Sequence, residues 1–190
     1  MMRTRILGVL AILLVITGCT GAKIRDPLNW KTESFQYINQ EGKPFGSKDL
    51  KGKVWIASFI FTSCTTVCPP MTANVARLQK MTAEKNLDVE FVSFSVDPTV
   101  DTPEAMRSFG DKFAADYSNW NFLTGYTQQE IEAFAKKNFK SFIKKPEGED
   151  QVIHQTSFFL VSDGVVMKKY SGLENTPYEE ILRDIERLTQ

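Results

Sequence analysis

The stretch Val54-Trp55-Ile56-Ala57-Ser58-Phe59-Ile60-Phe61 constrains the fold more than any other. A nearly continuous apolar run lacks the alternation of a half-exposed strand and suits one covered on both faces. Strands covered on both faces belong mostly to parallel sheets whose crossovers are helices. The next residues fit that pattern. Met71, Val75, Leu78 and Met81 share one face of a helix. Val89 to Val96 then reads as a second strand. Strand, helix and strand at this spacing form a βαβ unit with a parallel pair.

The rest of the chain extends this unit. Thr102-Pro103 opens a helix with Met106, Phe109 and Phe113 as its apolar stripe. Thr127-Gln128-Gln129-Glu130 is a capping-box pattern ahead of Ile131, Phe134 and Ala135. Phe158–Val161 and Val165–Tyr170 flank Ser162-Asp163-Gly164, a hairpin signal. Thr176-Pro177-Tyr178-Glu179 caps a last helix that turns Ile181, Leu182, Ile185 and Leu188 inward. Near the front, Phe35 to Asn39 alternates weakly into the turn residues Gln40 to Lys43, which predicts a small N-terminal β-hairpin. The predicted order after that hairpin is β-α-β-α-α-β-β-α. This is an α/β fold with a central mixed sheet and an antiparallel edge.

The first 18 residues read as an export signal. Arg3 and Arg5 precede an apolar run of 11 residues, Ile6 to Ile16. That is shorter than the roughly 20 residues a membrane-spanning helix needs. Ile16-Thr17-Gly18-Cys19 resembles a bacterial lipoprotein signal, with residues 1–18 removed and Cys19 lipidated. Two acyl chains on Cys19 are about what stable anchoring takes. The expected division is signal 1–18, polar tether 19–31 and a folded domain 32–190. With 23 basic and 23 acidic residues and no basic patch, nothing points to nucleic acid.

If Cys19 carries lipid, Cys64 and Cys68 are the only cysteines left in an exported domain. They could staple the fold, exchange disulfides or hold a metal. As a staple they would close a loop of five residues and add roughly 2 kcal/mol, the low end for a disulfide. A domain of this length builds its own core without that. Pro69 disfavours helical backbone at Cys68, which places Cys68 in a cap or loop and Cys64 in the turn before it. Both sulfurs then sit near a helix N-terminus, where thiolate is favoured. Thiolate both attacks disulfides and binds soft metals, so spacing alone leaves the two open.

His154, the single histidine of the chain, precedes the strand Phe158–Val161. If that strand packs near the first turn, Cys64, Cys68 and His154 share a site. Two thiolates suit Cu(I), and an added imidazole with one more ligand also suits Cu(II). Structural zinc wants four protein ligands, which leaves zinc as a laboratory substitute. Asp97, in Ser95-Val96-Asp97-Pro98, is either a turn residue or a carboxylate orienting a ligand or tuning the thiols.

Cys64-x-x-x-Cys68-Pro69 after one strand, Ser95-Val96-Asp97-Pro98 after the next and His154 ahead of Phe158-Phe159-Leu160-Val161 resemble the Sco/SenC family in order and spacing. The likeness runs from about Asp26 to the end. It implies a thioredoxin-like three-layer fold and copper binding by Cys64, Cys68 and His154. It further implies assembly of the dinuclear copper centre in cytochrome c oxidase subunit II, as copper donor, thiol reductant or both. The implied partners are subunit II and another copper chaperone or thiol-disulfide reductant. The implied location is the outer face of the bacterial cytoplasmic membrane. The alternative of another class is a general extracytoplasmic thiol-disulfide oxidoreductase in which Cys64 and Cys68 are the redox-active pair. A peroxidase or redox sensor ranks last, since no separate peroxidatic cysteine stands in its own loop.

Overall fold

The computed structural model describes residues 24–189. In chain order these form β1 (Trp30–Lys31), β2 (Gln36–Asn39), β3 (Pro44–Gly46), β4 (Val54–Ile60), α1 (Cys68–Glu84), β5 (Val89–Ser95) and α2 (Pro103–Asp111). There follow β6 (Trp120–Thr124), α3 (Gln128–Phe139), β7 (Ile143–Lys144), β8 (Ile153–His154), β9 (Ser157–Ser162), β10 (Val165–Ser171) and α4 (Tyr178–Thr189). The main sheet has the order β1-β10-β9-β4-β5-β6-β2-β3. β4, β5 and β6 run parallel, and the remaining pairs are antiparallel. This is the expected thioredoxin-like mixed sheet with its N-terminal hairpin.

Every residue of β4 and of β5 is buried, as their apolar runs require. One face of the sheet is aromatic. Phe59 stacks on Phe94 at 5.5 Å and meets Phe139 of α3 edge-on at 5.4 Å, and Trp55 lies 6.4 Å from Phe94. α1 and α4 cover the other face, where Ser58 and Ser93 share a hydrogen bond and Trp120 Nε1 donates to Ser93 Oγ at 3.0 Å. Helix signals act as written. Thr127 and Glu130 form the reciprocal capping box, and Thr102 Oγ1 accepts from the Ala105 N–H at the start of α2.

The structure corrects the predicted order in four places. β6 is a third parallel strand between α2 and α3, where two successive helices were expected. Its five residues are all buried, and Asn121 is satisfied by Asn39 Nδ2 at 3.0 Å. β1 pairs with β10, and Ile24 is buried, so the end of the segment read as tether belongs to the fold. Cys68 is the first helical residue of α1, with Val67 as N-cap, where a cap or loop position was expected. The loop before β9 contains a ribbon of two short strands, β7 and β8, outside the main sheet. The signal segment and Cys19 lie outside the described residues. Among the described residues no helix is long and apolar enough to cross a membrane.

Candidate metal centre

β4, β5 and β6 end at the same edge of the sheet, and the turn from β4 into α1 carries the two cysteines there. Both are free thiols and both are buried. The first turn of α1 explains how they interact. Its N–H groups have no helical acceptor, but Pro69 and Pro70 have no N–H. The Cys68 N–H is therefore the free donor of that turn, and it points at Cys64 Sγ at 3.4 Å. Thr66 Oγ1 lies 3.7 Å from the same sulfur.

The two thiols differ in acidity. Burial pushes Cys64 up, but the hydrogen bonds it takes from Cys68 and Thr66 outweigh that and leave it below the usual cysteine range. Burial drives Cys68 far up. The N–H of Phe61 opposes this, whereas the Cys64 side chain and the charge of Asp101 add to it. The expectation that the helix end favours thiolate at both sulfurs thus holds for Cys64 alone. At Cys68 desolvation wins.

His154 reaches the site from the ribbon. Ile143 pairs with His154, and Lys144 with Ile153. Side chains opposite one another share a face, so His154 lies on the same side as the buried Ile143. His154 Nε2 is 3.6 Å from Cys68 Sγ, and its ring meets Phe61 edge-on at 5.8 Å. Nδ1 is 3.1 Å from the Gln155 carbonyl. A carbonyl only accepts, which assigns the proton to Nδ1 and leaves the Nε2 lone pair facing Cys68. Burial also lowers the imidazole pKa, partly offset by the Gln155 contact, and so favours the neutral ring that binds metals.

The sulfur–nitrogen distance fits two ligands of one ion. Metal–sulfur and metal–nitrogen bonds of about 2.3 and 2.05 Å at a tetrahedral angle put the two atoms about 3.6 Å apart. Cys64 completes this arrangement less directly, since its sulfur is turned toward Thr66 and the Cys68 N–H. Among the described residues no three His, Cys, Asp or Glu side chains are already closed into a metal cluster.

The carboxylates around the site divide differently from expectation. Asp97 accepts from Lys145 Nζ at 2.7 Å and from Thr99 Oγ1 at 2.9 Å, and its hydrogen bonds go to neither sulfur nor to the imidazole. Asp101, which the sequence did not single out, holds the cysteine turn. It accepts from the Thr62 N–H at 3.1 Å, Thr62 Oγ1 at 2.5 Å and Ser95 Oγ at 2.6 Å. Its signal was its place directly before the N-cap Thr102, which reads only as helix initiation. Among the described residues Val100, Phe142 and Ile153 are the large apolar side chains left more than half exposed, at 51%, 56% and 56%. They lie on the β5–α2 loop and on the segment carrying the ribbon.

The chain matches the family model described as SCO1/SenC over residues 26–190. The crystal structure of a SCO1/SenC family lipoprotein from Bacillus anthracis str. Ames is 62% identical, with a TM-score of 0.86, covering 88% of this chain and 100% of that one. BsSco, described as a member of the Sco family of cytochrome c oxidase assembly proteins with a disulfide switch, is 53% identical at TM-score 0.82, covering 87% and 97%. ScoI of Arabidopsis thaliana with copper bound is 27% identical at TM-score 0.67, covering 83% and 97%.

Proposed function

Because this chain belongs to the SCO1/SenC family, we propose that it is a membrane-anchored, copper-binding assembly factor for the dinuclear copper centre of cytochrome c oxidase subunit II. The observation that carries the reading is the bare Nε2 of His154 at 3.6 Å from Cys68 Sγ, beside a Cys64 thiol of lowered pKa. Copper bound to a relative's structure and the assembly role named for BsSco support it. Cys64 enters as thiolate. Cys68 gives up its proton as the ion arrives, since only the deprotonated sulfur is a ligand. His154 donates through Nε2, and zinc fits the same atoms as a laboratory substitute. The anchor is lipid on Cys19, at the outer face of the cytoplasmic membrane, and the related B. anthracis protein is itself called a lipoprotein. Val100, Phe142 and Ile153 give a docking partner apolar surface near the site.

The split in thiol acidity favours a second activity of the same pair. Cys64 thiolate attacks a target disulfide and forms a mixed disulfide, and one target sulfur leaves as thiolate. Cys68 then loses its proton and displaces the other. The target ends as a dithiol, and Cys64–Cys68 ends as a disulfide that no longer offers thiolates to copper.

Titration of the reduced protein with Cu(I) and Cu(II) tests the metal reading. One ion per chain with thiolate-to-copper absorption is expected. In His154→Ala the affinity falls and the absorption shifts. Unchanged binding and absorption would remove His154 from the site.

A further inference from the structure

We infer that the Lys145–Asp97 ion pair is a clasp that sets His154 against Cys68, making both residues positioning residues for the site. The ribbon that carries His154 pairs only with itself, and neither strand joins the eight-stranded sheet. The imidazole is therefore held only as well as the ribbon is docked. Ile143 and Val152 supply buried apolar contact, which is non-directional and does not by itself fix where the ribbon sits. A directional contact comes directly after β7. Lys145 Nζ reaches Asp97 Oδ1 at 2.7 Å, with side-chain exposures of 20% and 2%. Asp97 is itself fixed, because its N–H donates to Ser95 Oγ at 3.0 Å and its carboxylate accepts from Thr99. A rigid anchor at the end of β5 thus grips the strand opposite His154. Glu132 of α3 adds a weaker hold, accepting from the Lys145 N–H at 3.3 Å.

The consequence for copper rests on the reading of the site given above, and the consequence for the ribbon does not. Removing Lys145 would strand a buried carboxylate, so Asp97→Asn is the primary variant: it removes the charge and keeps an oxygen for Thr99. Two measurements on the full chain test the clasp. In the reduced, metal-free protein, amide exchange at Ile143, Lys144, Ile153 and His154 should quicken about tenfold in Asp97→Asn while β4 and β5 amides hold. Lys145→Arg should keep exchange near the native rate. Cu(I) affinity, read by competition with a chromophoric chelator, should fall about tenfold in Asp97→Asn, as for other residues that orient ligands. In a His154→Ala background Asp97→Asn should add no further loss, because the clasp acts through the imidazole. Ribbon exchange unchanged in Asp97→Asn overturns the clasp outright. Equal affinity losses in both backgrounds overturn its action on His154. If His154→Ala itself leaves copper affinity intact, the copper reading fails, and the exchange data still decide the clasp.

Discussion

Asp101→Ala should destabilise the metal-free, reduced protein by about 2–4 kcal/mol. The Asp101 residue is 1% exposed and accepts hydrogen bonds from three neutral donors: the Thr62 N–H, the Thr62 hydroxyl and the Ser95 hydroxyl. After truncation the part-buried Thr62 N–H cannot turn away, and an orphaned donor costs at most about 1–3 kcal/mol. The two hydroxyls can rotate toward other acceptors and add about 1 kcal/mol each. Some of this is returned, because a buried carboxylate without its own cation is costly in the native state. That cost shows in its pKa, which burial raises against the pull of Ser95 and Thr62. The sign of the pH dependence follows. A raised native pKa means the folded state holds the proton more tightly than the unfolded chain. Stability from this group is then full below the ordinary aspartate range and is lost as pH rises through the native value. Urea unfolding at neutral pH reads the loss, and repeating it from pH 3 to 7 reads the slope. Asp101→Asn should lose less stability, because an amide oxygen still accepts from Thr62, and should lack the slope. An Asp101→Ala midpoint that corresponds to less than 1 kcal/mol would refute the assignment of Asp101 as the holder of the cysteine turn.

Three further outcomes follow from the same geometry. Iodoacetamide at neutral pH should label Cys64 about tenfold or more faster than Cys68, read by peptide mass spectrometry, because only Cys64 has a lowered pKa; equal labelling would contradict the hydrogen-bond argument. The His154 ring should titrate below a free imidazole by NMR, since burial lowers its pKa. Its contribution to stability is then full above the free-imidazole range and lost as pH falls through that range toward the native value, so His154→Gln should flatten the dependence there. Lys140 ends α3 in the left-handed conformation at φ 50°, so Lys140→Gly should stabilise by about 0.5–1 kcal/mol, a rise of about 1–4 °C in melting temperature; no rise would mean that the strain is absorbed elsewhere.

The parts of this fold that could be read from sequence are those whose burial is one-dimensional. β4 and β5 are apolar along their length because both faces are covered, and the α3 cap is a local exchange between Thr127 and Glu130. β6 escaped because its Asn121 and Thr124 make Trp120–Thr124 look like a loop. Their polar groups are satisfied only by Asn39 and the Asp101 carbonyl, which are remote in the chain. The ribbon escaped because two strands of two residues carry no periodicity. His154 could be placed with the cysteines by resemblance and not by pattern. Between the two aspartates of Asp97-Pro98-Thr99-Val100-Asp101, sequence offered no way to see which one held the thiol turn, since the answer depends on Thr62.

That five-residue segment explains why the two thiols and the imidazole meet at all. Cys64 and Cys68 arrive from the end of β4 and the start of α1, while His154 arrives on a ribbon outside the sheet. Nothing local in the chain relates the two arms. Both are referred instead to the end of β5. Asp101, bonded to Ser95, fixes the turn before Cys64 through Thr62, and Asp97, also bonded to Ser95, fixes the ribbon through Lys145. A change at Ser95 should therefore loosen both arms together, whereas a change at Thr62 or Lys145 should loosen only one. The rigid half, with thiols at the end of the sheet, suits redox exchange without a metal. On the copper reading proposed above, the imidazole is the ligand borne by the ribbon outside the main sheet, while the two thiols belong to the end of the sheet itself.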